Sequence, residues 1–169
     1  MAANDEIVIR RMEMADLAAA SALQAASYPG SLVEDDDAFA SRIRIAPSYC
    51  HVATRGGDLL AYLLAHGWGA GSPPFLGEVI DSPANSEVIY IHDLAVSANA
   101  RGTGIGRRLL RQALALASGD GLTRAELIAV EGAAEYWKNL HFAEGKTSAA
   151  LAAKVATYGP HARWMWRDI

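Results

Sequence analysis

Residues 88–118 pass from a β-branched run through a glycine-spaced turn into an amphipathic run, and this succession narrows the fold sharply. Val88-Ile89-Tyr90-Ile91-His92-Asp93-Leu94-Ala95-Val96 is rich in β-branched and aromatic residues and reads as a strand. Beyond the turn, Ile105, Leu109, Ala113 and Leu116 recur at helical spacing, with Arg107, Arg108, Arg111 and Gln112 on the other side. Between them lies Arg101-Gly102-Thr103-Gly104-Ile105-Gly106. Such a turn presents unpaired backbone N–H groups and the positive end of a helix dipole to an anion. Its glycines let a pyrophosphate approach the main chain, and Arg101 adds a permanent charge.

The turn departs from two familiar phosphate loops. A Walker loop ends Gly-Lys-Ser/Thr, whereas this one ends Ile-Gly-Arg. A dinucleotide fingerprint needs G-x-G-x-x-G after the first strand of its unit, and Gly102, Gly104 and Gly106 give G-x-G-x-G far along the chain. Glu126 nevertheless stands at the distance of a ribose-binding acid, so a dinucleotide-binding domain stays a rival. Arg101, Gly104 and Gly106 fill the [Arg/Gln]-x-x-Gly-x-[Gly/Ala] pattern, which resembles the acetyl-CoA loop of the GNAT superfamily of N-acetyltransferases. Leu94-Ala95-Val96 before it is similar to the family's fourth strand. Tyr136-Trp137-Lys138-Asn139-Leu140-His141-Phe142 after it resembles the family's Phe-Tyr-x-x-x-Gly-Phe helix end, with His141 in place of the glycine. The wider run from Ala129 to Phe142 resembles a bacterial subgroup that has Trp where others have Tyr, and whose acceptor is unsettled.

The length of 169 residues fits one domain, taken as residues 1–169, with a core that needs no staples. No apolar run reaches the roughly 18 residues of a membrane span, and the start lacks the basic and apolar regions of a signal peptide. Cys50 is the single cysteine, so no intramolecular disulfide forms, and a cytoplasmic location is expected. A net charge of −4 without a long basic tract disfavours nucleic acid. No metal site is expected, and the chain is expected to be a monomer or homodimer.

Strands are expected over 7–11, 48–54, 59–66, 87–96, 124–130 and 163–168, and helices over 15–26, 32–45, 104–118 and 133–140. Residues 149–156 are helical by propensity, although strand pairing with the terminus could override it. Residues 67–86 form a long Gly/Pro/Ser-rich loop. An antiparallel meander followed by βαβα argues for an α/β (mixed α+β) three-layer sandwich. The resemblance implies a mostly antiparallel, splayed central sheet of about seven strands with about four helices.

The resemblance also assigns roles. The main chain of Leu94, Ala95 and Val96 would pair with the pantetheine arm, and the Leu94 N–H would meet the developing oxyanion. Arg101, Gly102, Thr103, Gly104, Ile105, Gly106 and Arg107 would hold the pyrophosphate, with Trp137 against the arm. Strand alternation puts Tyr90, His92 and Leu94 on one face and Asp93 on the other. His92 is the expected base, since imidazole titrates near neutrality and residues 90–96 are similar to the His-x-His-Ala-Leu-Ala-Val strand of arylalkylamine N-acetyltransferases. Tyr136 is the nearest replacement for the family's acidic tyrosine, whose position holds Trp137. Tyr28, His66, Trp68 and Tyr90 are expected to line the acceptor pocket. The expected activity is direct transfer of an acetyl group from acetyl-CoA, as cosubstrate, to a small-molecule or peptide amine. The rival from another class is an acyl-CoA-binding regulatory module without turnover.

Overall fold

The computed structural model describes residues 5–82 and 85–169. Seven strands form one sheet: β1 (Val8–Arg11), β2 (His51–Arg55), β3 (Asp58–Trp68), β4 (Val88–Val96), β5 (Arg124–Ala129), β6 (Ala143–Glu144) and β7 (Arg163–Asp168). Their order is β1-β2-β3-β4-β5-β7-β6, antiparallel except for β4 beside β5. Five α-helices cover it: α1 (Leu17–Ser27), α2 (Asp36–Arg44), α3 (Ile105–Gly119), α4 (Ala134–Lys138) and α5 (Ala149–Ala156). Among the described residues no helix is long and apolar enough to cross a membrane.

Each face of the sheet has its own apolar layer. Ile89, Ile91 and Leu127 pack against Ile105, Leu109 and Ala113 of α3 and against Trp137 of α4. Phe39, Val52, Tyr62 and Leu64 form the layer beneath α1 and α2, and Tyr90, Ile128 and Trp164 continue it beneath Leu151 and Val155 of α5. The β2–β3 connection turns through Gly56 and Gly57, both at positive φ, as a two-residue hairpin requires.

Three elements differ from the sequence-based expectation. α2 begins at Asp36 rather than near residue 32, because Gly30–Leu32 forms a 3-10 turn, Val33 is extended, and Asp35 caps the helix by accepting from Ala38 N at 3.0 Å. Residues 149–156 are helical, capped by Ser148 Oγ accepting from Leu151 N at 3.2 Å, which makes five helices instead of about four. The seventh strand is the two-residue β6.

Candidate active site

The centre of the site is an irregularity in β4. Its register against β3 runs Leu63↔Leu94 and Leu64↔Asp93, then Ala65↔Ile91, so His92 is one extra residue on β4. Such a bulge breaks the alternation of side chains. Leu94 lies on the α3 face, where its side chain and that of Val96 approach Gly106. Asp93 lies beneath α1 and α2, accepting a hydrogen bond from the Tyr62 hydroxyl. The expectation that Tyr90, His92 and Leu94 share a face, with Asp93 opposite, is therefore corrected: His92 and Asp93, adjacent in sequence, both serve the α1–α2 face.

The same strand parts from its other neighbour. β4 and β5 pair only over Ile89–Ile91 and Ala125–Leu127. Beyond that point a cavity of about 760 Å³ opens between them, running from the start of α3 to the space between α1 and α2. Ser97 N donates to Leu60 O at 2.8 Å, which fixes the phase of the β3–β4 ladder. In an antiparallel ladder alternate residues turn their N–H and C=O groups outward. Leu94 and Val96 are those residues here, so their main-chain groups face the split. The Leu94 carbonyl accepts the Tyr28 hydroxyl at 2.8 Å. Burial and the neighbouring Asp93 push the Tyr28 pKa up, which keeps that hydroxyl a donor.

At one end of the cavity the chain enters α3 through Gly102 (φ +76°) and Gly104 (φ +78°), both left-handed. α3 starts at Ile105, so the first-turn N–H groups have no intrahelical partner. Arg101, Gly102, Gly104, Ile105, Gly106 and Arg107 are on the cavity wall. Thr103 is turned away, its hydroxyl donating to the Ala100 carbonyl. α4 closes this end. Trp137 takes the buried phase, edge-on to Phe142 at 5.4 Å, and Tyr136 takes the phase that puts its hydroxyl over Gly106. Burial raises the Tyr136 pKa, opposed by Arg107. Trp137 also touches the cavity, but its ring is mainly core. His141 closes α4 in the left-handed region (φ +70°), with its N–H on Lys138 O at 2.9 Å and Phe142 N on Trp137 O at 3.1 Å. Glycine is favoured at such a helix end, which is why the resembled motif has glycine there.

At the other end lies a buried ionic group; from sequence Glu34 counts only as part of the acidic run 34–37, which could attract a cationic amine or simply suit a helix start, and its pairing with His92 and Arg42 is not foreseen. Glu34 Oε1 accepts from His92 Nε2, and Glu34 Oε2 accepts from Arg42 Nη2 at 2.9 Å and from Gly77 N at 2.7 Å. Gln24 pins the Glu34 backbone from both sides, donating to its carbonyl at 3.1 Å and accepting from its N–H at 3.0 Å. Burial opposes charge on Glu34, but His92, Arg42 and Gly77 overcome it and hold the carboxyl down at about 2. The carboxylate must accept, so in neutral His92 the proton sits on Nε2. His92 Nδ1 is then the lone-pair nitrogen, and it is buried without a partner among the described residues. Asp93 is driven upward by burial against the Tyr28 and Tyr62 hydroxyls. Within the acidic run 34–37 only Glu34 reaches the cavity, since Asp35 caps α2 and Asp36 accepts from Ser21 Oγ at 2.8 Å.

His66, Trp68 and Tyr90 stand behind the cavity wall rather than on it. His66 is packed against Trp68, Tyr90 and His92 with ring centroids 5.3, 5.7 and 6.4 Å away. Burial, then the neighbouring His92, press its pKa down to about 3. Trp68 Nε1 donates to Ser72 O at 2.8 Å, and the Tyr90 hydroxyl meets that of Tyr158. Of the four expected acceptor residues only Tyr28 lines the cavity. The α1–α2 end of the cavity is also lined by Gln24, Ser27, Pro29, Leu32, Leu76 and Tyr158.

A sequence model described as the acetyltransferase (GNAT) family matches residues 17–142. No curated protein matches the chain in sequence. Solved structures match it over nearly its whole length at low identity. The ribosomal-protein-S18-alanine N-acetyltransferase from Escherichia coli is 16% identical with a TM-score of 0.70, covering 97% of this chain and 94% of that one. The loading GNATL domain of CurA from Lyngbya majuscula is 12% identical with a TM-score of 0.75, covering 96% and 98%. N-acetylglutamate synthase from Neisseria gonorrhoeae, complexed with coenzyme A and N-acetyl-glutamate, is 16% identical with a TM-score of 0.71, covering 96% of this chain and 35% of that one. These likenesses show a shared fold.

Proposed function

The chain belongs to the acetyltransferase (GNAT) family, and from that premise we propose that it transfers an acetyl group from acetyl-CoA directly to an amine. The start of α3, with Arg101 and Arg107, holds the pyrophosphate. The outward main-chain groups of Leu94 and Val96 take the pantetheine arm along the split. The amine adds to the thioester carbon, so a C–N bond forms and the C–S bond breaks. Negative charge gathering on the carbonyl oxygen meets the Leu94 N–H, a fixed donor that needs no reorganisation. His92 Nδ1 takes the proton the ammonium must lose, directly or through one water. Tyr136 is placed to protonate the leaving thiolate, a modest contribution because a thiol of pKa near 8.5 departs readily. Of the groups that carry out these steps, His92, Leu94 and Tyr136 line one cavity.

One observation carries the reading: the split between β4 and β5 joins a donor-rich helix start to an imidazole hydrogen-bonded to a buried carboxylate. The acceptor would enter between α1 and α2, where Tyr28, Leu32, Leu76 and Tyr158 present apolar surface. The test is CoA release from acetyl-CoA across a panel of amines and short peptides, with the N-acetyl product identified by mass. Amine-dependent product establishes the transferase. Tight CoA binding with no product from any amine would leave the non-catalytic binding module instead.

A further inference from the structure

We propose that Glu34 is a positioning residue that dictates which ring nitrogen of His92 is basic, and that an amide at position 34 reverses the assignment. The inference rests on the acetyl-transfer reading above for its catalytic consequence, but not for its structural one. Glu34, Arg42 and His92 have side chains 4%, 0% and 2% exposed, so losing a partner within the group is costly. Oε2 receives two donors, Arg42 Nη2 and Gly77 N, and neither can accept. Oε1 faces only His92 Nε2. The Gln24 amide clamps the backbone of residue 34, and Arg42, Gly77 and His92 hold its carboxylate.

That asymmetry makes the outcome of Glu34→Gln one-sided. The amide oxygen must occupy the Oε2 position, because two N–H groups point there. The amide NH₂ is then forced against His92 Nε2, which can satisfy it only by accepting. The ring proton moves to Nδ1, and the nitrogen that should receive the substrate's proton already carries one. Glu34 touches no reacting atom in this scheme; it acts wholly through His92. The other titratable groups near the pair include Arg42 from α2, Tyr90 and Asp93 from β4, Tyr62 and His66 from β3, and Tyr158 after α5. None of these is hydrogen-bonded to His92.

The experiment is ¹⁵N NMR of the histidine rings in the full chain, with His92 assigned by its loss in His92→Asn, on the alkaline side of the rate profile. Wild type should show the proton on Nε2 and a lone pair on Nδ1, and Glu34→Gln the reverse. The variant should lose kcat by about 10²–10⁴-fold, the scale of a histidine base held in the wrong tautomer. Its KM for acetyl-CoA should stay within about threefold, since no CoA-side group has changed. Nε2–H retained in Glu34→Gln would overturn the inference whatever the rate. A reversed tautomer with full kcat would instead show that His92 is not the base, and so overturn the role given it above. Should Glu34→Gln not fold, the wild-type spectrum still decides: neutral His92 carrying its proton on Nδ1 would refute the inference outright.

Discussion

Gly106→Ala separates stability from turnover at a single methyl group. A Cβ at Gly106 would lie 2.5 Å from the Tyr136 hydroxyl oxygen, 3.5 Å from Leu94 Cδ2 and 3.6 Å from Val96 Cγ2. The last two are ordinary contacts. The first requires the hydroxyl to retreat by roughly 1 Å, to a separation of about 3.5 Å. Tyr136 is 44% exposed, so it can withdraw toward solvent without disturbing the core. Gly106 lies in the first turn of α3, where alanine is favoured over glycine by about 0.5–1 kcal/mol. The variant should be as stable as wild type or gain a few degrees in thermal midpoint. If Tyr136 donates to the leaving thiolate, displacement on the order of 1 Å costs up to about 10²-fold in rate. A fall in kcat of about 10- to 100-fold is expected without loss of stability. Tyr136→Phe provides the control. The double variant should be no slower than Tyr136→Phe alone, because both changes act through one hydroxyl. Full turnover in stable Gly106→Ala, or a double variant as slow as the product of the singles, would refute the role of Tyr136.

Three other outcomes follow from the geometry. His92→Ala should lower kcat by about 10²–10⁴-fold; a folded protein with full kcat would remove His92 as base. His66, held neutral with its pKa at about 3, binds a proton more readily when unfolded, so stability should fall as pH drops from about 6.5 toward 3, by at most about 1.4 kcal/mol per pH unit. His66→Asn should flatten midpoint against pH in that window, and an unchanged slope would show that another group causes it. His141→Gly should raise stability by about 0.5–1 kcal/mol in denaturant unfolding, since φ +70° strains any residue with a Cβ, and a destabilised variant would contradict this.

The periodic elements were legible because each buries one face. Residues 105–117 of α3 alternate buried and arginine-bearing positions at helical spacing, and β7 begins and ends where its pattern says. The glycine turn was legible because left-handed backbone demands the residue type. The bulge at His92 left no mark: Tyr90, His92 and Leu94 read as regular alternation, and only the pairing with β3 reveals the extra residue. Glu34 was hidden for a related reason. It opens a run of four acids that suits a helix start, yet Asp35 is the cap, and the residue before a cap is free to turn inward. Tyr136 and Trp137 could be ranked only once the phase of α4 was known, because neighbours on a helix are about 100° apart. His66 reads as a pocket residue by composition, but its place on a central strand opposite Tyr90 puts it inside the layer.

The segment between β3 and β4 is held down through its own main chain. Gly71 N donates to Glu126 Oε2 at 2.9 Å, Gly77 N to Glu34 Oε2 at 2.7 Å and Ile80 N to Ser41 Oγ at 3.0 Å. The Pro73 carbonyl accepts Lys154 Nζ at 2.9 Å, and the Pro74 carbonyl accepts the Tyr158 hydroxyl at 2.9 Å. These five tethers do not depend on side-chain identity, except that proline at a donor position would remove its bond; the buried side chains of Pro73, Pro74 and Ile80 add to them. Among the described residues of this segment Leu76 alone is on the cavity wall, and its side chain takes part in none of these tethers. On the acetyl-transfer reading, exchange at Leu76 reshapes the cavity wall without removing any hydrogen bond to Glu34 or His92, so the wall and the ionic group beneath it can change separately.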